Sequence, residues 1–155
     1  MKAVFACLLL AFLVMGIDAY GQKKQNQDHP VRALYLSTIQ SYNKGKLELF
    51  LDNFSEDIRM YGTDGNYVGK QALRNRFEAI FKQFPNSKME IPELELEILS
   101  TENVLVNFTW ELYPMGKGPA FRGVGSGLYT LRKGKWIEIL EVETVTEVDK
   151  ELMRK

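Results

Sequence analysis

The chain has 155 residues, and its 20 basic and 20 acidic side chains cancel to no formal net charge. Nucleic-acid-binding proteins usually show a basic surplus or stripe, so we predict no nucleic-acid partner. The single cysteine, Cys7, lies in an N-terminal apolar run. Beyond that run the chain therefore has no thiol for a disulfide, a thiolate metal site or a cysteine nucleophile.

The N-terminal segment has the organisation of a cleavable export signal. Lys2 precedes an apolar run from Ala3 to Ile17, and Ala19-Tyr20-Gly21 supplies a small-x-small cleavage site. The run is shorter than the roughly 20 apolar residues that span a bilayer, so we expect no stable membrane anchor, although a retained anchor is the alternative. We predict a secreted, extracellular protein, or a periplasmic one if the source is bacterial.

The predicted domain organisation follows from this segment. Residues 1–21 form the signal peptide, residues 22–30 form a flexible polar leader that includes His29, residues 31–145 form one domain, and residues 146–155 form a C-terminal tail.

Helical spacing of apolar residues predicts three helices in the first half of the domain. The first follows Pro30 and has its apolar positions at Val31, Leu34, Tyr35, Thr38, Ile39 and Tyr42; the second has them at Leu47, Phe50, Leu51 and Phe54. A short strand from Ile58 to Tyr61 and a glycine turn over 62–66 precede the third helix, which begins at Gly69 and ends before Pro85. The other face of the third helix, with Lys70, Arg74, Arg76, Glu78 and Lys82, is predicted to be solvated.

After Pro85 the apolar period changes to two, which predicts four long strands. Helices followed by a meander indicate a cone-shaped α+β domain, in which a strongly curved antiparallel sheet wraps around three N-terminal helices. Gly123, Gly125 and Gly127 share one face of a strand. Such a strand can bend sharply or admit another backbone, and we favour bending.

The order of these elements resembles the nuclear transport factor 2-like superfamily, in particular its SnoaL-like members, over residues 31–145. The local matches are Tyr42-Asn43-Lys44-Gly45, Phe54-Ser55-Glu56-Asp57-Ile58, the segment 66–73, the segment 121–127 and Gly134-Lys135-Trp136. The resemblance implies a conical fold, of the roll also described as cystatin-like, with a pocket between sheet and helices and often a homodimer. It does not imply a reaction, because this fold hosts many activities.

The resemblance also implies where a ketosteroid isomerase-like catalytic set would fall. That enzyme uses an Asp base with a Tyr and a protonated Asp as hydrogen-bond donors. The three positions correspond here to Thr38, Gly62 and Ser126, none of which carries the required group. A shift of one or two residues would bring Tyr61 or Asp64 near, so both stay as weak catalytic candidates.

Glutamates on strands are the other candidates for acid–base chemistry, namely Glu111, Glu138, Glu141 and Glu143. Period two places Glu141 and Glu143 on one face with Ile137, Ile139 and Val145, either near the pocket entrance or on the solvated side, which we favour. Glu141 joins the weak catalytic candidates. Because neither His nor Cys falls in the predicted domain, we predict no metal site and no cofactor.

Aromatic side chains should converge where the helices meet the sheet, around a small apolar ligand or simply as core. The predicted pocket residues are Tyr35, Tyr42, Phe54, Met60, Phe77, Phe81, Phe108 and Trp110.

Two sequons, at Asn53 and Asn107, predict glycans if the protein is exported through an endoplasmic reticulum. A glycan at Asn107 would lie on the outer face of the sheet and hinder sheet-to-sheet dimerisation.

The leading functional hypothesis is a secreted non-enzymatic SnoaL-like module that binds a small apolar ligand or acts as an extracellular matrix or interaction component. The alternative is an isomerase, dehydratase or cyclase that uses pocket carboxylates. An enzyme needs a carboxylate and a hydrogen-bond donor that both face a closed pocket. A cystatin-type protease inhibitor is disfavoured, because the chain has no Gln-x-Val-x-Gly motif and no disulfide.

Overall fold

The computed structural model describes residues 28–150 and the backbone of residues 153–154. The predicted signal peptide and most of the predicted leader lie outside these residues. The three predicted helices are present as α1 (Pro30–Asn43), α2 (Leu47–Leu51) and α3 (Lys70–Gln83). None of the helices in the described part of the chain is both long and apolar enough to cross a membrane.

Helix α1 begins one residue after His29, which caps it. Pro30 occupies the first turn, where its missing N–H costs nothing. The backbone N–H of Val31 donates to Nδ1 of His29 at 3.3 Å, and the imidazole lies edge-on to Trp136 with ring centroids 5.2 Å apart. Burial lowers the pKa of His29. His29 therefore packs with the domain, whereas the sequence placed it in a flexible leader.

The strands are β1 (Phe54–Gly62), β2 (Gly65–Val68), β3 (Ser87–Ser100), β4 (Asn103–Pro114), β5 (Gly116–Lys117), β6 (Ala120–Arg132), β7 (Lys135–Asp149) and β8 (Met153–Arg154). Six of them form one sheet in the order β2-β1-β7-β6-β4-β3, while β5 pairs with β8. The α+β class with a curved sheet and N-terminal helices is confirmed. The sheet is mixed rather than purely antiparallel, because β1 runs parallel to β7.

Two strand boundaries differ from the prediction. Strand β1 begins at Phe54 rather than Ile58, because Phe54 already points into the core and is buried. Strand β7 continues to Asp149, which pairs with Ala120, and Met153 pairs with Lys117. Much of the predicted tail over residues 146–155 therefore belongs to sheets.

The core consists of two clusters on the inner face of the sheet. One joins α1 to β3, β4 and β6 around Val31, Tyr35, Val106 and Phe108; the other joins α2 and α3 to β1 around Phe50, Ile58, Leu73 and Phe77. Tyr35 and Phe108 approach with ring centroids 5.1 Å apart, and Phe50 and Phe77 with centroids 4.5 Å apart. The interior where these clusters meet is therefore walled by aromatic rings.

The three glycines of β6 make room for side chains of the neighbouring strands. A Cβ atom at Gly123 would overlap the indole of Trp110 and a backbone carbonyl of β7, and one at Gly125 would overlap the ring of Phe108. At Gly127 it would overlap the carboxyl group of Glu138. The sequence favoured bending as the role of this face, but its main role is to let these side chains lie flat against the strand.

Candidate functional site

An internal cavity of about 90 Å³ lies between the helices and the inner face of the sheet. Six of the eight predicted pocket residues line it: Tyr35, Tyr42, Phe54, Phe77, Phe108 and Trp110. Met60 and Phe81 do not. The sulfur of Met60 lies 2.6 Å from Nη1 of Arg76, and Phe81 packs on the ring of Tyr42 with centroids 4.9 Å apart.

The walls of this cavity are not only apolar, because three glutamates of β7 also line it: Glu138, Glu141 and Glu143. Strict alternation would place Glu138 on the opposite face from the other two. The register between β6 and β7 shifts after Leu128, where Leu140 and Glu138 pair with consecutive residues and leave Ile139 as an extra residue. This bulge brings Glu138 to the inner face. The prediction that Glu141 shares a face with Ile137 and Ile139 is therefore wrong.

Glu138 is almost completely buried, with 1% of its surface exposed. Its Oε2 accepts a 2.7 Å hydrogen bond from the hydroxyl of Tyr129, which is also buried. Its Oε1 has no hydrogen-bond partner among the described residues. Burial raises the pKa of Glu138 to about 7, against the lowering effect of the neighbouring Glu141 and of the hydrogen bond from Tyr129.

Glu141 forms a proton-sharing pair with Glu138. Burial raises the pKa of Glu141 well above its ordinary value, and the charges of Glu138 and Glu143 raise it further. Two carboxylates this close cannot both ionise easily, so the pair keeps a proton near neutral pH, and a protonated Glu141 can donate it to Glu138. The sequence favoured a solvated position for Glu141, and the structure places it inside the cavity.

Tyrosines complete the polar lining around the pair. Burial, and then the charges of the glutamates, raise the pKa of Tyr35 well above its usual value. Burial and the hydrogen-bonded Glu138 do the same for Tyr129. Both phenols therefore keep the O–H proton that a donor needs, and that of Tyr129 is donated to Glu138. The indole Nε1 of Trp110, another donor, is buried without a partner in the described structure.

Arg76 is the basic side chain of this site. Its guanidinium donates from Nε and Nη2 to Asp64 at 3.0 and 2.7 Å and also pairs with Glu143. The ring of Tyr67 lies 5.0 Å from its Cζ atom and the ring of Phe77 lies 5.3 Å away. Burial lowers the pKa of Arg76, but Glu143 and Asp64 outweigh it, so the pKa lies above its ordinary value.

The sequence placed Arg76 on the solvated face of its helix, but only 9% of its side chain is exposed. Leu73, Arg76, Phe77 and Ile80 follow the i, i+3, i+4, i+7 spacing of one helical face. That spacing is the signal that identifies Arg76 as an inward position.

The other two weak catalytic candidates lie outside the cavity. Tyr61 is on the outer face of the sheet beside Val142 and is 37% exposed. Asp64 is half exposed in the turn after β1. Burial pushes the pKa of Asp64 upward, but the hydrogen bond and charge of Arg76 outweigh this and hold it below its ordinary value. Asp64 is therefore an ionised partner of Arg76.

The positions that correspond to the ketosteroid isomerase set hold no acid or phenol in the structure. Thr38 lines the cavity, but its hydroxyl donates to the carbonyl of Leu34 at 2.9 Å. Ser126 lies on the outer face and donates to Asn107 at 2.6 Å. The carboxyl pair of β7 is thus a different arrangement from that set.

The two sequons differ in their accessibility. Asn53 is buried, and its Nδ2 donates to the hydroxyl of Thr38 at 2.7 Å. Burial of this nitrogen disfavours the predicted glycan at Asn53. Asn107 lies on the outer face of β4, as predicted, and is partly exposed.

Larger depressions exist elsewhere, but they hold no buried acid–base group. One of about 460 Å³ lies on the outer face of the sheet, between residues such as Glu95, Asn107 and Val124, and is open to solvent. Another, of about 310 Å³, lies near the end of α3 between Phe84 and Phe121. Within the described part of the chain, no three acidic or histidine side chains are arranged to hold a metal ion.

Replacing Glu138 should change how stability depends on pH. The unfolded chain releases this proton near pH 4.5, whereas the fold holds it to about pH 7. The contribution of Glu138 to stability should therefore fall as pH rises through this window, by roughly 3 kcal/mol. Glu138→Gln should match the wild type at pH 4.5 and exceed it at pH 7.5, as measured by urea unfolding.

Glu95→Gln, on the exposed outer face of β3, is the matched control and should follow the wild-type curve. His29 has the opposite effect, because burial lowers its pKa and this favours the fold as pH rises. It is present in every protein compared, so its contribution cancels. Parallel curves for wild type and Glu138→Gln would contradict the assigned burial of this carboxyl.

Replacing Arg76 should expose the cost of an unpaired buried charge. Arg76→Leu is expected to lower the free energy of unfolding by about 3 to 5 kcal/mol, because it leaves Glu143 without its partner. Arg74→Leu on the same helix breaks a pair with the exposed Glu48 and should cost far less, because solvent screens exposed ion pairs. Adding Glu143→Gln to Arg76→Leu should recover part of the loss. Equal losses for the two arginines would refute this assignment.

Comparisons with solved structures identify the fold. A hexachlorocyclohexane dehydrochlorinase (LinA, type 2) is 13% identical, with a TM-score of 0.71 over 90% of this chain and 95% of that chain. A candidate scytalone dehydratase from Novosphingobium aromaticivorans is 13% identical, with a TM-score of 0.67 over 80% and 87%. An NTF2-like protein of unknown function from Pseudomonas putida is 15% identical, with a TM-score of 0.67 over 81% and 92%.

No curated protein matches the chain at a significant level. The model of the SnoaL-like domain matches residues 35–139, a segment that contains most of α1, the aromatic walls and Glu138. This segment is most of the described domain, and its fold is that of the structural neighbours. The chain therefore belongs to the SnoaL-like family of the nuclear transport factor 2-like superfamily.

Proposed function

We propose that this domain holds a small organic molecule in its internal cavity and transfers a proton to or from it, with Glu138 and Glu141 as the acid–base pair. The observation that carries the proposal is a carboxyl pair that retains a proton near neutral pH inside a cavity walled by aromatic rings. General acid–base catalysis works best when the catalytic pKa lies near the working pH. Buried acids with raised pKa values are concentrated at such sites.

The cavity contains the combination that separates an enzyme from a purely apolar binding module. Glu138 and Glu141 supply carboxyl groups, while the hydroxyl of Tyr35 and the indole N–H of Trp110 are donors on the same lining. Pockets that only bind apolar molecules do not need carboxyl groups and hydrogen-bond donors. The enzymatic alternative raised by the sequence thus gains support over the non-enzymatic one.

Each group that lines the cavity has a separate role in the proposed proton transfer. The ionised member of the glutamate pair accepts a proton from a C–H group of the ligand, and the protonated member returns a proton to another atom. Tyr129 fixes the orientation of Glu138 through its hydrogen bond. Arg76 neutralises Glu143, so that the charge beside the pair is limited. The aromatic walls exclude water, which strengthens these electrostatic effects.

Binding without chemistry is the second candidate, and the size of the cavity favours it. Typical small-molecule sites have volumes of roughly 300 to 1,000 Å³, against about 90 Å³ here. The enzymes named above as structural neighbours share only the fold with this chain, because their identities are 13%. Their names, a dehydratase and a dehydrochlorinase, nevertheless indicate that the fold accommodates elimination reactions.

Proton exchange in heavy water tests the proposal directly. We expect the purified protein to accelerate deuterium incorporation into at least one of acetone, butanone and aminoacetone, as followed by proton NMR. Glu138→Gln and Glu141→Gln should each slow the exchange by about 100-fold or more, because general acid–base groups contribute 10²- to 10⁴-fold. The rate should rise through pH 7, as the pair becomes ionised.

The exposed variant Glu95→Gln should exchange at the wild-type rate. If the wild type exchanges no faster than Glu138→Gln with any of the three compounds, the acid–base function fails. If native mass spectrometry then shows a discrete small molecule that co-purifies, binding without chemistry becomes the supported function.

We further propose that the domain works outside the cytoplasm, on the basis of the apolar N-terminal run and the Ala19-Tyr20-Gly21 site. Expression of the full chain in a host that exports it should give a protein in the extracytoplasmic fraction whose N-terminus is near residue 22. Lengthening or charging the apolar run, as in Leu9→Arg, should block this processing. An intact N-terminus on protein found only in the cytoplasm would rule out export.

A further inference from the structure

The charges that line the cavity do not balance. Its ionisable side chains are Arg76, Glu138, Glu141 and Glu143, together with phenols that stay neutral. Arg76 is already shared by Glu143 and by Asp64 outside the cavity. Its single positive charge therefore faces two carboxylates, and none remains for the Glu138–Glu141 pair.

The Glu138–Glu141 pair has unused hydrogen-bonding capacity as well as unbalanced charge. Glu138 is 1% exposed, and its Oε1 has no donor among the described residues. Glu141 can donate to this carboxylate only while it keeps its own proton. An unpaired buried acceptor is costly, so a ligand that brings an N–H donor would be stabilised here. A ligand that brings a positive charge would gain more, since charge-assisted hydrogen bonds are stronger.

The remaining walls favour a cation over an anion. The rings of Tyr35 and Phe108 lie beside each other on the lining, and Phe77 and Trp110 face the same space. Aromatic faces attract ammonium groups that lie within about 6 Å of the ring centre. An anion would meet three carboxyl groups and a guanidinium that is already occupied. The volume of about 90 Å³ corresponds to about three waters, or roughly four to five non-hydrogen atoms.

We propose that the ligand of this cavity is a small primary amine in its protonated form, held by the ionised carboxylate of the Glu138–Glu141 pair and by the rings of Tyr35 and Phe108. This inference names the substrate class of the proposed acid–base site and rests on that site. Below pH 7, binding releases one of the two protons of the glutamate pair, because an ammonium group donates hydrogen bonds and requires an ionised acceptor. The second proton stays on the pair. The amine itself keeps its proton and its charge.

Three compounds of nearly the same shape separate charge from size: propylamine, 1-propanol and propionate. Isothermal titration calorimetry of the purified protein at pH 8 should show propylamine binding at least tenfold more tightly than 1-propanol. Propionate should bind most weakly, because its negative charge is repelled by the carboxylates of the site.

The pH dependence gives a second readout. Between pH 6 and pH 8 the affinity for propylamine should rise about tenfold, since the pair titrates near pH 7 and binding requires its ionised form. Tyr35 on α1 and Tyr129 on β6 stay neutral over this range, and Arg76 on α3 stays charged and paired with Glu143 on β7. At pH 6, titrations in two buffers of different ionisation enthalpy should show nearly one proton released per amine bound.

Glu138→Gln keeps the shape of the site and removes its charge. It should bind propylamine and 1-propanol with similar affinity and should lose the proton release, while Glu95→Gln should behave as the wild type. Circular dichroism confirms that both variants fold. The inference is overturned if 1-propanol or propionate binds as tightly as propylamine, if amine binding is independent of pH and of Glu138, or if none of the three binds.

These outcomes are distinguishable from failure of the acid–base function. A protein that exchanges the protons of butanone but prefers 1-propanol to propylamine keeps its function and loses the amine assignment. A protein that binds propylamine with proton release but exchanges no protons keeps the amine assignment and is a binding protein.

Discussion

The carboxyl group of Glu138 lies directly over the bare backbone of Gly127, and the interior of the domain depends on this contact. Any side chain at Gly127 would occupy the same space as Oε1 of Glu138. The bulge at Ile139 turns Glu138 inward at this point, and the hydroxyl of Tyr129 then fixes it. Burying a carboxyl group is ordinarily costly. Here the pairing of β6 with β7 holds Glu138 in its buried position.

Electrostatics inside the cavity follow from that burial. Glu141 comes next to Glu138 on the inner face, and both acids must share a small space with little water. Their raised pKa values are the consequence. Glu143 is paired with Arg76, which reaches it from α3 and is itself held by Asp64 in the turn after β1. Three separated parts of the chain therefore meet in one network, which leaves the Glu138–Glu141 pair without a basic partner in the cavity.

The sequence predicted the architecture well, because it depends on repeated local signals: the helical spacing after Pro30 and the alternation in the strands. It also predicted most of the aromatic lining. It could not place Glu138, because a bulge shifts the alternation by one residue and leaves no mark in the pattern. Arg76 was misplaced because a charged residue was taken as solvated, although its spacing from Phe77 marked the inner face. The parallel pairing of β1 with β7 depends on contacts distant in sequence.

The central claim is that Glu138 and Glu141 share a proton near neutral pH, and an NMR titration of their side-chain carboxyl carbons tests it most directly. In protein labelled with ¹³C at glutamate, with Glu138→Gln and Glu141→Gln used to assign the signals, we expect two coupled steps, the first near pH 7 and the second higher. Between one and two protons should remain on the pair at pH 7. If both carboxyls ionise together near pH 4.5, as an ordinary glutamate does, the pair is simply charged and the proposed chemistry has no basis.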